Sequence, residues 1–215
     1  MSSPEVAVID YGVGNLLSVR RALEHCGASV SVTSEPDVIR HAARVVLPGV
    51  GAFARGMSEL RERGLAEVVQ EVAARGVPLM GICLGMQMLL GVSEEFGSTT
   101  GLGLIPGRVV AISSNTPRGE ALKIPHIGWN ALLPAAADSR WQGSALHDVQ
   151  PAEAVYFVHS FKAQPEDARH RLADCLYGEQ DICAVVVRDN VVGCQFHPEK
   201  SGAVGLKILR RFLAS

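Results

Sequence analysis

Cys83 in Gly81-Ile82-Cys83-Leu84-Gly85, and His197 and Glu199 in Phe196-His197-Pro198-Glu199, are residue types that together can carry out nucleophilic chemistry. A thiolate attacks, an imidazole moves the proton, and a carboxylate beside the imidazole fixes its tautomer. Residues 77–82 read as a short buried strand and 84–90 as a helix, so Cys83 falls on the sharp turn between them. This is the thiol counterpart of the Gly-x-Ser-x-Gly elbow, where small neighbours make room for a strained turn. A helix N-terminus beside the sulfur also favours thiolate over thiol. Pro198 biases His197 toward an extended backbone, in which His197 and Glu199 point to the same side. Read alone, Cys83 would suit a core and His-Pro-Glu an ordinary turn at a strand end. The two segments acquire chemical meaning as a pair.

Acyl chemistry at such a thiol needs donors for an oxyanion. Pro48-Gly49-Val50-Gly51-Ala52-Phe53 follows a buried strand, and its glycines allow backbone N–H groups to turn toward a ligand. Gly49, Gly51 and Ala54 also match Gly-x-Gly-x-x-Ala, a dinucleotide-binding pattern. That pattern requires an acidic residue at the end of the following strand, and here the region is a helix around Gln70 and Glu71. Tyr11-Gly12-Val13-Gly14 is a weaker match, with Leu17 at the third glycine position. His126 and His159 stand open between a site role and a satisfied core position, since neither has a carboxylate two residues away. Trp141 and Tyr177 read as packing or loop residues.

The elements that must position these groups follow from periodicity. Strands are expected at 6–9, 29–33 and 44–47, and a helix at 15–25 ending near Gly27. A helical stretch at 57–75 puts Met57, Leu60, Val68, Val69 and Val72 on one face, with Gly64 placed to break or bend it. Such alternation implies a parallel sheet with helices on both faces. After Gly97 strands dominate, at 109–112, 154–161, 171–177, 184–187 and 191–196, with Asp189-Asn190 as a tight hairpin turn. Leu206, Leu209, Phe212 and Leu213 mark a terminal amphipathic helix. The fold class is therefore α/β, a central mixed, mostly parallel sheet flanked by helices, with 1–215 read as one domain. Loops at 113–121 and 134–150 are expected to be the mobile pieces.

Composition narrows the function classes. A chain of 215 residues is large enough to bury a proper core. Its net charge of −2 offers no basic field for nucleic acid or an anionic membrane. Five cysteines without Cys-x-x-Cys spacing argue against a disulfide framework or a zinc site and for a reducing, cytoplasmic setting. Met1 to Pro4 lead into a strand without a signal-peptide pattern. The uncharged run at 77–93 is shorter than a membrane span and is interrupted by Pro78 and glycines.

The segments Gly81-Ile82-Cys83-Leu84-Gly85-Met86-Gln87 and Gln195-Phe196-His197-Pro198-Glu199 resemble the paired signatures of class I glutamine amidotransferases. Further details resemble the glutaminase subunits of imidazole glycerol phosphate synthases. They are Ile9-Asp10-Tyr11-Gly12-Val13-Gly14-Asn15-Leu16, Pro125-His126-Ile127-Gly128-Trp129-Asn130, Tyr156-Phe157-Val158-His159-Ser160 and Lys200-Ser201. The resemblance spans essentially the whole chain and implies a type-1 amidotransferase domain. It implies hydrolysis of glutamine through a γ-glutamyl thioester on Cys83, with His197 as acid and base and Glu199 orienting it. Val50 and Leu84 would supply oxyanion amides, while Gly51, Gln87 and the Ser160-Phe161 backbone would hold glutamine. Tyr11, Asn15, Tyr156 and Lys200 would lie near a partner, a (β/α)₈ cyclase subunit. That partner would use the ammonia to make imidazole glycerol phosphate and aminoimidazole carboxamide ribotide in histidine biosynthesis. The resemblance calls for no cofactor and no metal. Two rivals stand beside it: an amidotransferase subunit of the anthranilate synthase type, and a non-catalytic regulatory module on the same fold. The Pro125 to Asn130 and Lys200-Ser201 segments weigh against the first, and the intact Cys83, His197 and Glu199 against the second.

Overall fold

The computed structural model describes residues 4–136 and 141–215. The opening residues 1–3, and 137–140 within the loop expected at 134–150, lie outside the described residues. The first half alternates as expected. It runs β1 (Glu5–Ile9), α1 (Leu16–His25), β2 (Ser29–Thr33), α2 (Pro36–His41), β3 (Val45–Gly49), α3 (Phe53–Glu62), α4 (Leu65–Ala74), β4 (Leu79–Cys83) and α5 (Leu84–Met88). The second half is strand-rich: β5 (Leu90–Ser93), β6 (Thr99–Thr100), β7 (Ile105–Ala111), β8 (His126–Ala131), β9 (Leu133–Pro134), β10 (Ala154–His159), β11 (Phe161–Pro165), β12 (Arg171–Tyr177), β13 (Gln180–Arg188) and β14 (Val191–Cys194). The last helix is α6 (Gly202–Leu213).

The main sheet has the order β2-β1-β3-β4-β14-β13-β12-β9. It is parallel from β2 through β14 and antiparallel from β14 onward. Pairs β10-β8 and the four strands β11-β7-β5-β6 form two smaller sheets. Side chains alternate across β1: Val6 and Val8 join a core with Leu23, Ile208, Leu209 and Phe212, while Ala7 and Ile9 join one with Met57, Leu60, Val68, Val69 and Val72. Helices α1 and α6 therefore cover one face and α3 and α4 the other, so both faces of the parallel half are buried.

Several boundaries differ from the periodicity reading, each for a physical reason. The 57–75 stretch is two helices, because Gly64 adopts a left-handed φ of 66° between them. The helix expected at 84–90 stops at Met88, because Leu90 pairs with Ile105 and begins β5. The strand expected at 154–161 is two strands, since His159 pairs with β8 and Phe161 with β7, leaving Ser160 at the switch between sheets. Helix α2, with Pro36 in its first turn, was not expected.

One close approach positions the elbow. A Cβ on Gly85 would run into the carbonyl oxygen of Leu47 on β3, and one on Gly81 would lie 2.8 Å from the Gly85 carbonyl. The first turn of α5 thus packs directly on the backbones of β3 and β4, which only glycine allows. Gly85→Ala should destabilise the chain by about 3 kcal/mol or more, through a collision that backbone cannot relieve cheaply. Gly64→Ala, where a Cβ would meet nothing within 4 Å, should cost only the left-handed strain of roughly 1–2 kcal/mol. Urea unfolding of both variants checks the order, and equal losses would contradict this packing account.

Candidate active site

The candidate residues gather at the carboxyl ends of β3, β4 and β14, where ligands bind in open parallel sheets. Gly49 is in register with Cys83, and Ile82 with Cys194. Val50 and Leu84 therefore leave two adjacent strands side by side, and Gln195 to His197 continue past β14 next to the thiol. Cys83 itself has φ 54° and ψ −110°, a left-handed backbone that a side chain rarely adopts. The residue is 7% exposed, and its sulfur lies 3.9 Å from the Val158 carbonyl and 3.9 Å from the Gln195 Nε2. Leu84 is the first residue of α5, so its N–H has no acceptor within the helix. Because α5 has five residues, its dipole is a short one, weaker than the helix expected from the sequence would supply.

The imidazole is held from several sides. His197 Nδ1 is 2.7 Å from Glu199 Oε1, with both side chains almost fully buried. The two residues meet through a 3₁₀ turn at Pro198–Lys200 rather than along an extended strand as the spacing suggested. The His197 N–H donates to the Tyr156 carbonyl at 3.0 Å. Ser201 Oγ donates to the His197 carbonyl and accepts from the Tyr156 N–H, tying the base to β10. A carboxylate only accepts, so Nδ1 carries a proton toward Glu199 and Nε2 is left to exchange one on the Cys83 side. That Nε2 is buried without a hydrogen-bond partner among the described residues. Burial alone would lower the imidazole pKa, but Cys83 and Glu199 beside the ring outweigh it and push it up to about 9. The arrangement suits an imidazolium next to a thiolate. Elsewhere in the core, burial pushes the Cys183 and Cys194 thiols up to about 12.

A pocket of about 460 Å³ opens over the sulfur, within the usual range for small ligands. Val50, Gly51, Leu84, Gln87, Ser160 and Phe161 all line it, as the resemblance implied. Their free groups are narrower than expected. Gln87 spends its amide nitrogen on the Phe161 carbonyl at 3.1 Å and on Gln195 Oε1 at 3.0 Å, leaving Oε1 for a ligand. The Ser160 carbonyl accepts from the Ile112 N–H, and the Phe161 carbonyl from both Gln87 and His159. Sequence reasoning missed Glu95 and Phe96, which also line the pocket; Ser93-Glu94-Glu95-Phe96-Gly97 reads as a polar surface turn. Glu95 is 9% exposed and accepts from the Phe53 N–H at 2.6 Å. A larger hollow of about 590 Å³ lies elsewhere, lined by Pro78, Asn190 and Phe212 among others, with neither a cysteine nor a histidine in its lining.

Tyr11, expected at a partner surface, requires correction. Its ring is fully buried, its hydroxyl donates to the Pro48 carbonyl at 2.7 Å, and a Cβ on Gly49 would strike it. Tyr11 is a support beneath the Pro48-Gly49 backbone. Asn15 caps α1 by accepting from the Ser18 N–H, a local task that accounts for it without a partner. Tyr156 is half-buried, edge-on to the exposed Trp129, and Lys200 is exposed.

His126 and His159 form a buried pair, 3.0 Å between His126 Nδ1 and His159 Nε2. His126 is stacked between Phe157 and Tyr177, and His159 Nδ1 lies 2.8 Å from the Phe161 carbonyl. Because a carbonyl only accepts, one neutral arrangement satisfies the chain: His159 Nδ1–H to Phe161, then His126 Nδ1–H to His159 Nε2. Burial pushes both rings down to about 4. A base with a lowered folded pKa favours the native state above the unfolded value of about 6.5, and that contribution fades as pH falls toward the folded value. At pH 7 both rings should be neutral with the proton on Nδ1, and should charge only near pH 4. Nitrogen-15 imidazole spectra over a pH series check this; an Nε2–H tautomer, or titration near the ordinary ~6.5, would refute it.

With this geometry in place, the comparisons are specific. The sequence profile of the glutamine amidotransferase class-I family matches residues 7–215. The chain is 51% identical over 208 residues to "Imidazole glycerol phosphate synthase subunit HisH 1" of Legionella pneumophila (strain Lens), covering 97% of this chain and 98% of that protein. It is 46% identical over 215 residues to the HisH subunit of Thermosynechococcus vestitus, covering 100% of this chain and 98% of that one. The fold matches a chain of the PurLQS structure from Thermotoga maritima with a TM-score of 0.74 at 23% identity, over 99% of each chain. The chain belongs to the class-I glutamine amidotransferases, and within them to the HisH subunits of imidazole glycerol phosphate synthase.

Proposed function

We propose that this chain hydrolyses glutamine at Cys83 and delivers the ammonia to a cyclase subunit that makes imidazole glycerol phosphate and aminoimidazole carboxamide ribotide. The observation that carries the reading is the buried His197, with Nδ1 held by Glu199 and a free Nε2 beside Cys83, at a strained elbow. In this reading Sγ attacks the side-chain amide carbon of glutamine, and the oxyanion is met by the Val50 and Leu84 N–H groups. The imidazolium passes its Nε2 proton to the leaving ammonia. Water then gives a proton to Nε2 and attacks the thioester, releasing glutamate and restoring the thiol. Glu95, a buried carboxylate in the pocket wall, suits the α-ammonium group of the substrate.

The acceptor of the ammonia lies on another polypeptide. Ile127 and Trp129 project from β8 with 53% and 59% exposure, beside Tyr156 and near Gly202. With Lys200 they offer a mixed apolar and basic face for the cyclase, in a heterodimer. Among the described residues no helix is long and apolar enough to cross a membrane, and a catalytic thiol suits the reducing cytoplasm.

Two predictions follow from the roles. Cys83→Ala should abolish glutamine-dependent synthesis by the reconstituted pair, while ammonium salts still support it. Retained glutamine hydrolysis, or no rescue by ammonia, would overturn the assignment. His197→Ala should lower glutamine hydrolysis by roughly 10²–10⁴-fold, and Glu199→Gln by less, because the ring stays in place without its charge partner. Steady-state glutaminase rates decide, and near-normal turnover in His197→Ala would exclude it as the base.

A further inference from the structure

Phe96 combines two features that a structural role leaves unexplained. It is 92% exposed, against 59% for Trp129 among the exposed large apolar residues described. It also has φ +52°, a left-handed backbone unfavourable for a bulky side chain. A ring in water at a strained backbone position contributes little to folding, and strain of this kind concentrates at functional sites.

Its placement supplies the missing use. Phe96 lines the pocket above Cys83, whose lining also includes the apolar Val50, Pro125 and Val158. Its ring stands edge-on to Phe161, with centroids 6.1 Å apart and planes at 74°. The turn that carries it is anchored through the residues that precede it. The Glu94 N–H donates to the Val109 carbonyl, the Glu95 N–H to Ser93 Oγ, and the Phe53 N–H to Glu95 Oε2. Neighbours therefore hold the ring at the rim, and its own contacts are few.

Resting on the glutaminase reading above, we infer that Phe96 is a substrate-contact residue whose ring closes over the aliphatic Cβ–Cγ segment of bound glutamine. Glu95 takes the charged end of the same molecule, so one turn reads both the ammonium and the methylene chain. Burial of the ring on binding supplies the return that the free protein lacks. Replacement by Asn, which tolerates the left-handed backbone, removes the ring and keeps the turn.

The test compares wild type, Phe96→Asn and Phe96→Tyr in complex with the cyclase. Phe96→Asn should raise KM for glutamine by about tenfold, equivalent to ~1.4 kcal/mol, with kcat within about twofold. Phe96→Tyr should restore KM, and the Tm of Phe96→Asn should be no lower than that of wild type. An unchanged KM in Phe96→Asn overturns the inference, as does a Tm that falls with the loss of affinity. Labelling of Cys83 by a glutamine-analogue chloroketone, run in parallel, separates the two levels. Wild type that resists the reagent and lacks glutaminase activity removes the functional reading, whereas equal labelling of wild type and Phe96→Asn removes only the role of Phe96.

Discussion

The packing of Gly85 against the Leu47 carbonyl sets the position of Cys83 relative to the end of β3. It lets the first turn of α5 lie on the ends of β3 and β4, so that residue 83 must bend into a left-handed conformation. Gly49 and Cys83 share a register, and the amides of Val50 and Leu84 become neighbours by the same contact. A methyl group at residue 85 would push the first turn of α5, and Cys83 with it, away from the β3 backbone. Tyr11 completes the arrangement from below, since its hydroxyl holds the carbonyl that precedes Gly49. The elbow is thus a property of three strands packed together, although its signature lies within five residues.

Electrostatics is layered on that geometry. His197 sits between an acceptor at Nδ1 and a thiol beside Nε2, so its charged form is stabilised despite burial. The His126–His159 pair, of which His159 also lines the pocket, has no carboxylate partner and is kept neutral by burial. Burial acts on all three imidazoles, and the partner chemistry decides in which direction each is finally shifted. The neutral pair fixes the Phe161 carbonyl, which also receives Gln87, and so stiffens the wall facing the sulfur.

Much of this was legible before any coordinates. The glycines around Cys83, the His-Pro-Glu segment and the 3.6-residue spacing in 57–75 are local signals, and the structure places them together. Periodicity erred where distant pairing prevailed: Leu90 left its helix for Ile105, and Ser160 divides one apolar run between two sheets. Tyr11 looked like a surface residue because its partner, the Pro48 carbonyl, lies 37 residues away. Glu95 and Phe96 were hidden by a turn composition that ordinarily means solvent. The burial of Glu95 depends on the Phe53 amide, 42 residues distant, and no local pattern announces that contact.

The insertion of β14 between β4 and β13 has a consequence for how the molecule is made. Gln195 and Cys83, which meet at the sulfur, are 112 residues apart along the chain. As synthesis proceeds from the N-terminus, β4 emerges early, fully buried in the finished fold yet with an open hydrogen-bonding edge until its neighbour appears. Cys83 is therefore built long before His197, and the nascent thiol has no imidazole beside it. The same delay leaves an apolar strand edge unpaired over much of translation, the kind of surface that favours misassociation. The last strand fills that gap, and the same segment carries His197 to the sulfur.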